Sequence, residues 1–501
     1  MSSAPLNAAI PTVAPPPFNQ LSADITLRTS DLVDFHVHTQ ILSQASLLFA
    51  AMLSLPQPPS SSGTHPIIDV LENSRTLENL LRLCYPIDRI PLTSVADIGS
   101  VLDAANKYEM QGPLSAIIPD LLALAPHSPL KVWAVACRSG IIFESIAWNA
   151  ATAMVAISKD RRRLAKGFGR LFLEIGSPSP SNSRPFPPFT LLQLMLRKYG
   201  VDATRGASAG DYYRLLEYLR AGKEGSTANL MRLSVDTPPS GAVYSPPSFD
   251  EVIPRFPPPD LKIQCCDGTQ HAAHIIFLSA HSPTLGDRIR ALVGVSLSTS
   301  SLSVASSPLS DCDSEPPLPV LEVDVDSASL SILLVFCYAG CASNVELPTD
   351  LRLLSSTLIA ARKLNMERVA DTVKEHWERA ALADPLEAYF VAIARGQEDL
   401  ARFAARHALE GRVVGAYVRG MEACSALAYH HLLEYHDACV QAARDVVRAA
   451  MMKLQGDSDR LEWKVAKLDE LEAWQSGPDV HRGDPSAPLA VGEELAGQER
   501  E

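Results

Sequence analysis

The chain carries an internal repeat, and this feature restricts its possible folds more than any other. Four blocks of sequence recur in the same order in the two halves of the 501 residues. In the first block the two copies align without a gap, and His38 of the first copy is equivalent to His274 of the second. Its identical residues are Asp24, Asp31, His38, Leu42, Ser43 and Ser46. Collinear matches of this kind indicate a duplicated unit rather than several unrelated domains.

The other three blocks follow at different spacings, because the two copies differ in the length of their loops. These blocks pair residues 74–85 with 327–338, 102–110 with 358–366, and 212–218 with 429–435. Stretches rich in Pro and Ser lie between the blocks, and such compositions are typical of loops and spacers. The repeat therefore accounts for much of the chain's content of 38 prolines.

Within one copy, the apolar pattern changes from period two to period three or four. Ile25, Leu27, Phe35 and Val37 alternate with polar residues, which predicts a half-buried hairpin. The apolar residues of 41–53 then recur at helical spacing, and this pattern predicts one helix. A short strand at 67–70 and several helices follow. Each copy is therefore predicted to be an α+β unit with helices at its carboxyl end.

Composition and charge exclude several classes of protein. The chain is 47% hydrophobic and 20% charged, as globular proteins are, and its net charge is −13. The basic residues form no stripe that could neutralise phosphates, so no nucleic-acid partner is expected. The apolar stretch at 331–342 is too short to span a bilayer, and no membrane association is expected. Nine scattered cysteines and the absence of a secretory pattern indicate an intracellular protein, cytoplasmic or nuclear.

Metal and catalytic motifs are weak. His36 and His38 would share one face of a strand, and His436 and Cys439 one face of a helix with His431 nearby, but neither set has the further ligands that zinc needs. No glycine-rich phosphate loop and no Gly-x-Ser-x-Gly motif occurs.

A second catalytic reading is that the recurring pairs Asp24/Asp260 and His38/His274 are acid–base groups. Their recurrence in both copies is better explained by a structural role, because a duplicated fold keeps the residues that it needs. We therefore predict a protein that is not an enzyme and that uses no metal or cofactor.

The repeated motifs resemble those of a known family. The first copy combines His38-x-x-x-Leu42-Ser43-x-x-Ser46, a segment ending in Cys84-Tyr85, and the sequence Ala-Ala-x-Lys-Tyr-x-Met at 104–110. This combination resembles the BTB/POZ domain, in particular the fungal, basidiomycete-like type. The extra carboxyl-terminal helices of that type commonly contain a Leu-Leu-x-Tyr-His segment, and residues 432–436 are similar to it. The second copy departs from the pattern through Pro283, Gly286 and a Ser-rich insertion, which puts its capacity to dimerise in doubt.

The resemblance implies tandem BTB/POZ-like units, each a small β-sheet packed with helices and followed by a helical extension. The predicted segments are 1–19 (disordered), 20–125 (BTB/POZ domain 1), 126–235 (helical extension 1 with a Pro/Ser loop), 236–258 (Pro-rich linker), 259–380 (degenerate BTB/POZ-like domain 2 with a Ser-rich insertion at 294–319), 381–450 (helical extension 2) and 451–501 (a helical stretch and disordered tail).

In function, the resemblance implies a non-enzymatic scaffold or adaptor that binds proteins. Two alternatives are a substrate adaptor for a cullin-type ubiquitin ligase and a component of a transcriptional co-regulator complex. In the family, the amino-terminal strand and the first helix form a dimer face, so the resemblance points to homodimerisation or to internal pairing of the two copies as a pseudo-dimer. The candidate face residues are Leu27, Leu42, Ala45, Ser46 and Phe49. An ordinary core role for about half of them is equally compatible with the wide apolar arc of the predicted helix.

Overall fold

The computed structural model describes most of the chain between residues 10 and 453. The described residues are 10–55, 66–139, 144–160, 164, 168, 187–221, 258–300, 318–339 and 348–453. The chain divides into two compact units, residues 1–433 and residues 434–501. All of the sheets and all but the last part of the helical structure described below belong to the first unit.

The first half of the chain forms a four-stranded mixed sheet in the order β1-β3-β2-β4. Its strands are β1 (Thr12–Val13), β2 (Ile25–Arg28), β3 (Val33–Val37) and β4 (Ile67–Asp69). Strands β2 and β3 form the predicted hairpin, with Ile25 opposite Val37 and Leu27 opposite Phe35. These four side chains are buried, so the period-two pattern marks the face of the sheet that packs on the helices.

The prediction of one continuous helix at 41–53 is wrong, because the helix is interrupted at Ser46. The segment forms two short helices, α1 (Thr39–Ala45) and α2 (Leu47–Leu53), and Ser46 lies between them in extended conformation. The Ser46 side chain accepts a hydrogen bond from the Phe49 amide and so acts as the N-cap of α2. Apolar spacing alone does not show this break, because the pattern continues across it.

Seven α-helices make up most of the remaining described part of the first half. They are α3 (Ser74–Cys84), α4 (Val95–Lys107), α5 (Gln111–Leu124), α6 (Pro129–Ser139), α7 (Glu144–Lys159), α8 (Pro188–Tyr199) and α9 (Ala209–Ala221). Side-chain caps set where two of them start, since Asn73 accepts from the Thr76 amide and Ser94 from the Asp97 amide. Trp133 on α6 is one of the two largest fully buried side chains among the described residues.

The second half begins with a three-stranded sheet in the order β6-β5-β7. Its elements are β5 (Leu261–Gln264), β6 (Gln270–Ala273), α10 (Ile275–His281), α11 (Pro283–Ser300), β7 (Val320–Glu322), α12 (Ser327–Ala339), α13 (Leu351–Lys363), α14 (Glu367–Ala381), α15 (Pro385–Ala394), α16 (Glu398–Ala408) and α17 (Ala426–Lys453).

The elements of the two halves follow the same order and keep the register of the sequence repeat. Strand β5 pairs antiparallel with β6 and parallel with β7, as β2 does with β3 and β4. Leu261 faces Ala273 as the equivalent Ile25 faces Val37. Helices α1 and α10 have equivalent bounds, and so do α4 and α13. The sequence repeat is thus also a repeat of hydrogen-bonded structure.

Two predicted segment boundaries need correction. Residues 10–19 belong to the predicted disordered segment, yet β1 pairs in parallel with β3, and Ala14 and Phe18 are buried. The Phe18 ring contacts Phe35 and Tyr85, and this apolar anchor holds the segment against the sheet. Residues 294–300 of the predicted Ser-rich insertion continue α11, while most of the remaining insertion lies outside the described residues.

The described part of the second unit is the continuous helical segment 434–453, which forms the end of α17. Most of its residues from 441 onward are exposed, among them Val446 and Met452. The helical stretch predicted between Asp459 and Trp474 lies outside the described residues.

Candidate interaction surfaces

The residues that recur in the first sequence block hold the ends of helices. In the first half, the Asp24 carboxylate accepts hydrogen bonds from the Thr39 amide (2.7 Å) and from the Thr39 hydroxyl (2.5 Å). The Asp31 carboxylate accepts from the Ser74 amide (2.9 Å) and hydroxyl (2.6 Å). The pKa of Asp24 is lowered, because these hydrogen bonds outweigh the raising effect of its burial.

The same contacts recur in the second half. The Tyr85 hydroxyl accepts a hydrogen bond from the His38 amide (2.8 Å), and the Tyr338 hydroxyl accepts one from the His274 amide (2.7 Å). The Asp260 carboxylate accepts from the Ile275 amide at 2.8 Å, which matches the bond of Asp24 to Thr39. The recurring acidic and histidine residues are therefore placed as structural groups, which accounts for their presence in both copies.

Four of the five predicted face residues lie in the core of the first half. Leu27 and Leu42 are fully buried, Phe49 is 3% exposed and Ser46 is 1% exposed. Ala45, at the end of α1, is partly exposed. The Ser46 hydroxyl donates to the Tyr108 carbonyl (2.5 Å), and the Phe49 ring stacks on Tyr108 with centroids 4.9 Å apart. A dimer face on this helix pair stays a prediction, but neighbouring side chains would have to supply its contact area.

Such neighbours exist on α2 and just beyond its end. Leu47 is 71% exposed, Leu48 is 43% exposed, and Ala51 and Leu55 are also exposed. Leu47 and Ala51 are four residues apart and so lie on one side of α2, and Leu55 follows just after the helix ends. We call these four residues the α2 face. None of these four residues was among the predicted face residues, although the i, i+4 spacing of Leu47 and Ala51 could have indicated these two.

The equivalent surface of the second half has a different character. Its exposed residues on α10 and α11 include Ile276, Pro283, Asp287 and Arg290. Asp287 and Arg290 form an exposed ion pair on the side of α11. Burying two charged side chains costs free energy, whereas burying the leucines of the α2 face releases it. The two halves therefore present unequal surfaces at matching positions.

The two halves contact each other through the fourth sequence block. Ser208 and Ser425, which precede α9 and α17, form an antiparallel β-bridge. The Ala209 amide donates to the Cys424 carbonyl and the Ala426 amide donates to the Ala207 carbonyl, each at 2.9 Å. In the repeat, Ala209 is equivalent to Ala426 and Ala207 is equivalent to Cys424. The two hydrogen bonds are therefore equivalent, and the backbone contact has local twofold symmetry.

Side chains make this contact asymmetric. Arg214 is buried and contacts the carboxylates of Asp211 at 2.7 Å and of Glu422 at 2.6 Å. The Ser208 hydroxyl donates to Glu422 at 3.0 Å, and the Tyr417 hydroxyl donates to it at the same distance. Burial acts to raise the pKa of Glu422, but the bonds from Arg214, Tyr417 and Ser208 outweigh burial and hold that pKa below its ordinary value. We call these five residues the joint cluster.

The described residues contain no candidate metal site and no candidate membrane span. Within this part of the chain, no three His, Cys, Asp or Glu side chains are grouped closely enough to hold a metal ion. No helix there is both long and apolar enough to cross a membrane.

A comparison with protein families identifies one domain. The BTB/POZ domain model matches residues 18–121, from Phe18 into helix α5. A BTB/POZ domain is present in the first half. The match includes the hairpin, α1, α2 and the buried Ser46–Tyr108 contact. It confirms that the first copy resembles a BTB/POZ domain, whereas the fungal type stays a prediction. No curated protein matches the chain. BTB/POZ domains generally mediate protein–protein interaction, and this fits an α+β domain that presents an exposed apolar helix face.

Proposed function

We propose that this protein is a non-enzymatic scaffold that assembles through its first BTB/POZ domain, with the α2 face as the contact between two copies of the chain. The exposed leucines of that face carry the proposal. Full burial of an exposed leucine side chain contributes roughly 1.5–3 kcal/mol, so burial of Leu47, Leu48 and Leu55 on both copies favours association. BTB domains commonly self-associate, which supports a second copy as the occupant.

The amino-terminal strand adds a second element to this surface in the proposal. Strand β1 is an edge strand of the sheet, and Val13 is exposed on it, as is Ile10 just before it. An edge strand presents unpaired backbone groups that can pair with another chain. We propose that β1 and the α2 face together form the contact that the family resemblance implies.

In this proposal the second half is a tandem, degenerate BTB-like unit that does not dimerise. Its matching element order, sheet register and helix-end hydrogen bonds support the assignment. Its exposed charges at Asp287 and Arg290 argue against an apolar contact of the same kind. The fourth-block contact between the halves uses the extensions, and this leaves the α2 face exposed for a second chain.

Light scattering of the full chain tests this proposal. We expect twice the mass of the monomer for the wild type and the mass of the monomer for Leu47→Asp combined with Leu48→Asp. The matched control is Ile276→Asp, an equally exposed apolar position of the second half, and this variant should remain dimeric. A monomeric wild type would contradict the proposal and favour the alternative that the two units pair internally.

We also propose which other proteins bind this scaffold, besides a second copy of the chain. A cullin-type ubiquitin ligase scaffold and a transcriptional complex are the alternatives that the family resemblance supplies, in the cytoplasm or in the nucleus. Pull-down of purified cullin scaffold with the wild-type chain discriminates between them, since an adaptor retains the scaffold and a co-regulator does not.

A further inference from the structure

The second half contains a cavity that the proposed function does not use. Its volume is about 620 Å³, and it opens beside strand β7, between α11 and the end of α13. Buried Val323, Val325 and Leu364 contribute an apolar floor, while Arg288, Lys363 and Asp324 stand at the exposed rim. Cavities of this size bind small molecules or a few residues of a peptide.

The first half fills the equivalent space with its own side chains. The Tyr108 ring stacks on Phe49, and its hydroxyl donates to the Glu72 carboxylate at 2.5 Å. Lys107 donates to Glu72 at 2.9 Å and lies 3.2 Å from the Tyr108 hydroxyl oxygen. The phenol ring, one carboxylate and one ammonium group thus form a closed cluster.

The second half keeps the backbone around this space but lacks the side chains that fill it. At the three repeat positions, Leu285 replaces Phe49, Val325 replaces Glu72 and Leu364 replaces Tyr108. The Ser282 hydroxyl donates to the Leu364 carbonyl, as the Ser46 hydroxyl does to that of Tyr108.

The turn that follows is also kept. Glu109 and Asn365 both adopt a left-handed conformation, with φ of 54° and 53°. The backbone is therefore held in the same way in both halves, and the cavity lies where the ring and carboxylate of the first half have no counterpart.

We propose that this cavity, which we call the ring site, binds the tyrosine side chain of a partner protein. The apolar floor fits the ring. Lys363, the equivalent of Lys107, forms an ion pair with Asp324 at the rim, as Lys107 does with Glu72 in the first half. A phenol hydroxyl that joins this pair can accept from the ammonium group and donate to the carboxylate. The volume exceeds that of a single ring, so flanking peptide backbone also fits. Tyrosine suits such a site because it combines a large apolar body with one polar end.

The ring site shares with the proposed function the assumption that the ligand is a protein, but it uses a surface separate from the α2 face. Cys266 allows it to be tested directly, because this exposed cysteine lines the cavity. Neighbouring Cys265 is buried, and burial raises the pKa of its thiol to about 11, so Cys266 is the more reactive of the two.

The experiment measures the rate at which a thiol reagent labels Cys266 in the full chain, with mass spectrometry to locate the label. N-acetyl-L-tyrosinamide serves as the probe and N-acetyl-L-leucinamide as the matched control. We expect tyrosinamide at about twice its Kd to slow labelling about threefold and leucinamide to leave the rate unchanged. Equal rates with and without tyrosinamide overturn the proposal, and so does equal protection by the two probes.

A variant whose own side chains fill the cavity provides the second test. Leu364→Tyr combined with Val325→Glu restores the residues of the first half and should abolish protection by tyrosinamide. Protection that persists in this variant also overturns the proposal. The comparison of the two probes on the wild type does not depend on the folding of any variant. Leu47→Asp combined with Leu48→Asp should retain the protection, which separates a failure of the ring site from a failure of the proposed dimer.

Discussion

Ser208 and Ser425 occupy equivalent positions of the internal repeat, and they form an antiparallel bridge with each other. The flanking amides of Ala209 and Ala426 donate across this bridge in a reciprocal way. Exchange of one half for the other therefore leaves the backbone contact unchanged. A duplicated unit can readily form such a contact, because one surface that is complementary to itself satisfies both partners.

The joint cluster should be sensitive to a single methyl group at Gly210. A Cβ atom at Gly210 would collide with the carboxylate of Glu422, which would push that side chain off Arg214. We expect Gly210→Ala to lower the free energy of unfolding by about 1–3 kcal/mol, despite the better helix propensity of alanine. Chemical denaturation measures the change. Gly112→Ala is the control, because nothing lies within 4 Å of its new Cβ, and it should not destabilise.

The joint cluster should also give the protein a measurable dependence on pH. The pKa of Glu422 is lowered in the folded state, so its stabilising contribution is present above its ordinary value of 4.5 and is lost as pH falls through the folded pKa. We expect Glu422→Gln to be less stable than the wild type at pH 7, and the difference to shrink below about pH 4.5. Denaturation curves at several pH values measure it. A constant difference between pH 7 and pH 3.5 would contradict this assignment.

Two leucines on neighbouring helices, Leu42 on α1 and Leu47 on α2, should respond differently to substitution. Leu42 is fully buried, so Leu42→Ala should lower the free energy of unfolding by about 2–5 kcal/mol. Leu47 is largely exposed, so Leu47→Ala should change the stability of the isolated chain by less than about 0.5 kcal/mol and should weaken self-association instead. Thermal denaturation and light scattering separate the two effects. A large loss of stability for Leu47→Ala under monomeric conditions would place this residue in the core.

The serines that start the second helix of each half should be of similar importance. Ser46 and Ser282 each accept a helix-capping hydrogen bond and donate one to a distant carbonyl. We expect Ser46→Ala and Ser282→Ala each to cost about 1–2 kcal/mol of stability. Ser43→Ala, at a partly exposed position of α1, is the control and should cost less than about 0.5 kcal/mol. A negligible effect of Ser282→Ala alone would show that the two halves do not share this contact.

Sequence patterns predicted the local structure of both halves well where the pattern reflects one element at a time. The alternation around Leu27 and Phe35 predicted the hairpin, and the repeated blocks predicted the order of the elements. The break at Ser46 could not be predicted in this way, because it depends on the Tyr108 carbonyl, which lies far away in the sequence. The pairing of β1 with β3 depends in the same way on the distant ring contacts of Phe18.

The sequence alone predicted an α+β protein with an internal repeat, and it determined that the first copy resembles a BTB/POZ domain. Repeats, apolar periods and motif residues are properties of the order of residues. Only the tertiary structure decided which apolar residues are exposed. The helical period of an apolar stretch is the same whether a side chain packs on its own sheet, as Leu42 does, or faces solvent, as Leu47 does. The space left open near Leu364 was likewise beyond the sequence, because a cavity is defined by the packing of residues from several elements at once.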